Sequence, residues 1–160
     1  MASTLFTGVP TRDVPASAGI ARLYSITASV TLTGEQHEGR TGVFDIASGA
    51  TVTLPAALGN GSRFEFYTKT TITSNNAVIQ VANATDILSG IAYMAQDAAD
   101  TNLGFETGAS DDTITMNGST KGGIKGDRIV ITDVASGIWA ITAFLSGTGT
   151  EATPFSAAVS

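Results

Sequence analysis

The chain has 160 residues, no cysteine, and a formal charge of −6 from 8 basic and 14 acidic side chains. That length is expected to give one domain with a real core, and the lack of cysteine excludes disulfides and thiolate metal sites. Charged residues make up only 14%, against about 25% in an average domain, and the basic ones are scattered singly apart from Lys121 and Lys125, which excludes the electrostatic footprint of a nucleic-acid binder.

Met1 to Gly19 contains two prolines, two glycines and small polar residues without a period. It reads as an extended arm. Leu5, Phe6, Val9 and Val14 make it too apolar for a solvated tail, so these four are candidate contacts with a neighbouring surface. Composition alone also allows an unpacked leader. No basic stretch precedes an apolar one, so no signal peptide is expected, and no apolar run approaches the roughly 18 residues of a membrane span.

From Tyr24 to Leu32, apolar residues (Tyr24, Ile26, Ala28, Val30, Leu32) alternate with Ser25, Thr27, Ser29 and Thr31. The alternation predicts one strand with a buried and a wet face. Gly34 to Gly42 is a polar loop with His37, Glu35 and Glu38. Val43–Ile46 and Thr51–Leu54 flank Asp45-Ile46-Ala47-Ser48-Gly49, and a hairpin is expected there, ended by Pro55. Arg63 to Tyr67 is a strand with Phe64 and Phe66 on one face. Ala77–Val81 and Ile87–Met94 are further strands.

Gln96 to Asp112 reads as a polar loop carrying Asp97, Asp100, Glu106, Asp111 and Asp112. Thr113–Met116 is a short strand, followed by the turn dipeptide Asn117-Gly118. Asp127 to Leu145 gives the strongest signal. Ile129 and Ile131 share one face and Val130 takes the other. After Asp133-Val134-Ala135-Ser136-Gly137, Trp139, Ile141 and Ala143 alternate with Ala140, Thr142 and Phe144. Both faces are apolar, which suggests a strand pair covered on both sides or lying near a subunit contact. Asp opens the turn and Gly137 supplies a positive φ at its end. The same pattern occurs at Asp45–Gly49 and Asp86–Gly90, without the similarity between copies that a propeller repeat requires.

The expected fold is therefore all-β, an antiparallel β-sandwich of jelly-roll type with a small β-barrel as the alternative. Residues 1–21 form an extended N-terminal arm, 22–146 the sandwich, and 147–160 an extended C-terminal tail.

Candidate chemistry is sparse. His37 is the single histidine and has no Gly-x-Ser-x-Gly elbow beside it, so a surface histidine is the better reading. Gly118 to Lys125 lacks the spacing of a phosphate loop. The acids of the 96–112 loop lack the Asp-x-Asp-x-Asp-Gly pattern of a Ca²⁺ loop, and a solvated acidic loop accounts for them. No cofactor, metal or catalytic residue is expected.

Ser48-Gly49-Ala50-Thr51-Val52-Thr53-Leu54-Pro55-Ala56 and Gly59-Asn60-Gly61-Ser62-Arg63-Phe64-Glu65-Phe66 resemble a segment recurring in virion proteins of tailed bacteriophages. So do Gly126-Asp127-Arg128-Ile129-Val130-Ile131, Trp139-Ala140-Ile141, and the ending Gly149-Thr150-Glu151-Ala152-Thr153-Pro154-Phe155-Ser156. The chain resembles the capsid decoration, or cement, proteins, a group that overlaps with head-fibre proteins, over roughly Val43 to Ser160. The resemblance implies a homotrimeric, non-enzymatic β domain on the outer surface of the head, made in the host cytoplasm. Its partners would be the major capsid protein and itself, with no nucleic acid and no membrane. Leu5, Phe6, Val9, Val14 and Phe155 are the candidate capsid or subunit contacts. The alternative is a receptor- or glycan-binding domain of a phage fibre. That reading needs an exposed aromatic platform drawn from Trp139, Tyr67, Tyr24 and Tyr93.

Overall fold

The structure is a computed structural model that describes residues 22–97 and 101–159. Leu5, Phe6, Val9 and Val14 lie outside the described residues. In chain order the elements are β1 (Leu23–Ile26), β2 (Val30–Thr31), α1 (Gly34–His37), β3 (Thr41–Phe44), β4 (Thr51–Thr53), β5 (Arg63–Thr68) and β6 (Ala77–Gln80). They continue with β7 (Ile87–Gln96), β8 (Asn102–Glu106), β9 (Thr113–Met116), β10 (Arg128–Ala135), β11 (Ile138–Gly147) and β12 (Phe155–Ser156). The fold is nearly all β, as the alternation and the turn-rich composition indicate.

Two sheets share the strands. The larger runs β1-β3-β5-β10-β11-β7-β8 and the smaller β12-β9-β6-β4-β2. Their inner faces enclose one core, to which Phe44, Phe64, Phe66, Leu88, Met94 and Trp139 come from the larger sheet and Val52, Ile79, Ile114 and Met116 from the smaller. As the two sheets have separate edges, they do not form the closed barrel held as the alternative.

The expectation of antiparallel pairing is corrected for the first half of the chain. Strands β1, β3 and β5 pair in parallel in one sheet, and β2, β4 and β6 pair in parallel in the other. Residues 23–80 thus wind between the sheets in three coils of two strands each, rather than folding back as the hairpins of a jelly roll. The nine-residue strand expected at Tyr24–Leu32 is the first coil, split into β1 and β2. Ile26 and Leu32 are buried on either side of the crossing, while Ala28 sits exposed at the corner. Alternation continues across such a corner, so period alone does not reveal the change of sheet.

The hairpin expected around Asp45–Gly49 is likewise a crossing. Asp45 binds the end of β5 instead of closing a turn on itself: its carboxylate accepts from Lys69 Nζ at 2.5 Å and Thr70 Oγ1 at 3.0 Å. Thr73 N–H then donates to the Ala47 carbonyl at 2.8 Å. Gly49 has φ +71° and packs against the Asn76 carbonyl, where a Cβ would collide. The parallel stacking of coils is therefore fixed by contacts between one crossing and the next.

The third such motif is not a turn at all. Asp86 stands just before β7, and Ser89-Gly90 lies inside that strand, which pairs in parallel with β11. The polar loop expected at 96–112 contains β8, which pairs antiparallel with β7. The C-terminal tail is also corrected. Phe155 is only 4% exposed and belongs to the core. Its strand β12 pairs with β9, and Asp112 N–H donates to the Ser156 carbonyl at 3.1 Å. A side chain so covered by its own domain is not a free contact for another protein.

The β10–β11 hairpin forms as expected, with an irregular register between Asp133 and Ala135. Gly137 has φ +79°, and among the described residues only the Thr85 carbonyl oxygen lies near its Cβ position, at 3.8 Å. The site is open in space and strained only in backbone. Gly137→Val should therefore cost about 1–2 kcal/mol through the left-handed conformation, and Ser136→Ala much less. Equal denaturation midpoints for the two variants would disprove the strain.

Candidate interaction surface

Strand register decides what the larger sheet presents to solvent. Since side chains alternate, the residues opposite the core form rows that cross all seven strands. One row reads Ser25, Val43, Tyr67, Arg128, Phe144, Tyr93 and Gly104. The row beside it reads Leu23, Thr41, Glu65, Val130, Thr142, Ile91 and Glu106. Among these, Leu23 is 60%, Phe144 59%, Tyr93 45% and Tyr67 39% exposed. Tyr93 and Phe144, neighbours on β7 and β11, stack with ring centres 5.8 Å apart and planes 18° from parallel.

The charges on this face are largely paired. Arg128 Nη2 lies 2.9 Å from Glu65 Oε1, and Arg63 Nη2 lies 3.7 Å from Glu65 Oε2. Exposed pairs of this kind contribute about 0–1 kcal/mol, so they orient side chains more than they stabilise the fold. The two-sided apolar pattern of β11 now has a physical account. Trp139, Ile141 and Ala143 enter the core, and Phe144 lies on the opposite, open side with Thr142.

The acidic residues have structural work. Asp133 is buried, and its carboxylate accepts from the main-chain N–H of Leu58, Gly59 and Asn60 at 2.9, 2.7 and 3.3 Å. Asp86 accepts from Ala57 N–H and Asn83 Nδ2, both at 2.9 Å. Asp127 accepts from the N–H of Gly123, Ile124 and Ser146 at 2.7, 3.1 and 2.8 Å. Burial pushes the Asp127 carboxyl above its ordinary value, against the opposing pull of these hydrogen bonds. Asp112, read from sequence as part of a solvated acidic loop, is buried and accepts from Ala158 and Val159 N–H at 2.8 and 3.2 Å. It holds the end of the chain on the domain. Each carboxylate supplies acceptors to main-chain N–H groups, most of them in loops.

His37 sits in α1, where its Nδ1 lies 3.0 Å from Thr33 N and its ring meets Tyr24 edge-on at 4.9 Å. Tyr24 is half-buried, and burial pushes its phenol up to about 12 although Arg40 opposes this. Its hydroxyl has no hydrogen-bond partner among the described residues. Two of the four aromatic residues named for a platform are therefore unsuitable, since Tyr24 faces inward and Trp139 is fully buried. Tyr67 and Tyr93 are available, and Phe144 joins them. Phe144 was visible in the sequence as the outward member of an alternating strand.

Among the described residues, no group of three or more His, Cys, Asp or Glu side chains could hold a metal ion. No helix among them is long and apolar enough to cross a membrane. No model of a known protein family, no curated protein and no solved structure matches the chain.

Proposed function

We propose that this chain is a structural virion protein, a decoration protein that binds the outer surface of a tailed-phage head and stabilises contacts between major capsid subunits. The observation that carries the proposal is the outer face of the seven-stranded sheet, on which Leu23, Tyr67, Tyr93 and Phe144 stand exposed. Large apolar side chains grouped on one face and rimmed by polar residues suit an interaction surface. The attachment would act by added burial across a subunit junction, at about 25 cal/mol per Å² of apolar surface before the costs of association. The working unit is a homotrimer, synthesised in the host cytoplasm and partnered by the major capsid protein. Leu5, Phe6, Val9 and Val14 contact the capsid or a sister subunit, whereas Phe155 has its place in the core. No catalytic step, cofactor, nucleic acid or membrane enters this role.

Sedimentation equilibrium at micromolar concentration should give three times the monomer mass of 16.2 kDa. A monomer under those conditions would count against the assembly. The stacked Tyr93–Phe144 pair favours a second reading, a receptor- or glycan-binding domain of a fibre. Exposed aromatic faces suit the apolar face of a sugar ring, and saturable binding to host-surface glycan would favour that reading over the first.

A further inference from the structure

Strand β8 forms one edge of the larger sheet, and among the described residues no strand pairs with its outer side. The ladder to β7 fixes which main-chain groups face that side. Gln96 N–H donates to the Thr101 carbonyl at 3.1 Å, and Thr107 N–H donates to the Gly90 carbonyl at 3.0 Å. Hydrogen-bonded pairs alternate along an antiparallel ladder, so Leu103 and Phe105 bond to Met94 and Ala92 of β7. The N–H and C=O groups of Asn102, Gly104 and Glu106 therefore point away from the sheet. Soluble proteins commonly guard such an edge with lysine, proline, a bulge or a very short strand. β8 has five residues, none of them lysine or proline, and its register with β7 is unbroken.

We propose that this edge binds the same edge of a second copy, β8 running antiparallel to the partner's β8 about a two-fold axis at Gly104. That register pairs the strand with its counterpart over its full length. Gly104 meets Gly104, and Asn102 meets Glu106 at both ends, so about six main-chain hydrogen bonds form. The side chains match in the same register. On the outer side, Glu106 faces the amide of the partner's Asn102 rather than a second carboxylate. On the core side, Leu103 is 36% exposed and falls opposite the partner's Phe105, which is only partly buried against the core. Apolar pairs directly opposite each other stabilise a sheet, and like charges there oppose it.

The contact has a limited size. Five residues a side fall well below the roughly 20–30 a side of a standard interface. The pairing is therefore expected near millimolar concentration and not in dilute solution. A two-fold contact cannot close a trimer, so in a trimeric protein it would join copies of different trimers. The inference does not depend on attachment to a capsid.

Disulfide trapping tests it, because the chain has no cysteine to give a background. Gly104 does not have a positive φ, and among the described residues a Cβ there meets only Ile91 Cδ1, at 3.5 Å, so Gly104→Cys should fold. Directly opposed residues lie about 5.5 Å apart, within disulfide reach, whereas Asn102 lies about 14 Å from the partner's Asn102. In the full-length protein at millimolar concentration, Gly104→Cys should give a covalent dimer at least tenfold faster than Asn102→Cys or Glu106→Cys. The double variant Asn102→Cys/Glu106→Cys should match Gly104→Cys. Equal rates for the three single variants would overturn the pairing, and so would a double variant no faster than its two parents. Amide exchange in the wild-type chain supplies a check that needs no variant. Raising the concentration from micromolar to millimolar should slow exchange several-fold at Asn102, Gly104 and Glu106. Leu103 and Phe105, whose N–H groups already bond to β7, should change far less. Exchange that slows equally at all five residues, or at none, would overturn the inference even if a cysteine variant misfolded.

Discussion

Trp139→Ala is expected to destabilise the domain by about 3–5 kcal/mol, the usual loss when a large buried aromatic is truncated. Trp139 is fully buried near the start of β11 and packs against Phe64 with ring centres 5.8 Å apart. Asp133 and Leu88 lie opposite it on the two neighbouring strands. The cavity would thus open where β7, β10 and β11 meet. Among the described residues the indole N–H has no acceptor, so the native side chain already carries the penalty of an unpaired buried donor. Trp139→Phe removes that donor while keeping most of the apolar volume, and should lose less than half as much as the Ala variant. Since Trp139 is the single tryptophan, the comparison needs circular dichroism during denaturant titration rather than fluorescence. An unchanged midpoint in Trp139→Ala would mean that the side chain is not in the core.

The second large effect is expected at Asp133. Its carboxylate is the acceptor for three consecutive main-chain N–H groups, those of Leu58, Gly59 and Asn60. Asp133→Ala leaves all three without that acceptor. Each unsatisfied buried donor costs about 1–3 kcal/mol, but this loop is only partly buried and water can replace some of the bonds. The net loss should be about 2–4 kcal/mol. Asp133→Asn keeps one acceptor oxygen and should fall between wild type and Ala. Amide exchange at Leu58 and Gly59 should accelerate in both variants, more in Ala than in Asn, while exchange at Ile79 and Ile114 follows global stability alone. Unchanged exchange at Leu58 and Gly59 would show that the carboxylate does not hold this loop.

The sequence made some of this legible for a physical reason. Burial imposes a period of two on a strand whatever its partner is. The alternation at 128–145 therefore revealed β10 and β11 and put Trp139 on one face with Ile141 and Ala143, without saying which face is inward, and Gly137 marked the turn because few residues tolerate its φ. The partner and direction of a strand leave no such mark. At Tyr24–Leu32 the alternation continued through a corner that separates two sheets, and at Asp45–Gly49 a turn-like sequence made a crossing because its carboxylate found Lys69 and Thr70, distant in sequence. Gly90 looked like the end of a turn but lies within β7, where a Cβ would collide with the Ile141 carbonyl oxygen. Asp112 read as solvated and Phe155 as a contact for another subunit because their partners lie far away along the chain, Ala158 for the first and Ile114 for the second. The outer face was legible only in part. Alternation showed that β11 is apolar on both sides, but the row joining Tyr67, Arg128, Phe144 and Tyr93 exists only once four strands are in register.

The placement of the protein on a particle is the central claim, and labelled electron microscopy addresses it most directly. Gold-conjugated antibody against the folded domain would be applied to particles purified from lysates of cells in which this chain is made. The account predicts label over the outer surface of intact heads, distributed around the whole head and absent from tails. Label confined to tail fibres would contradict the decoration role and favour receptor or glycan binding. Particles bearing no label, with the protein left in the soluble fraction, would contradict a virion role altogether.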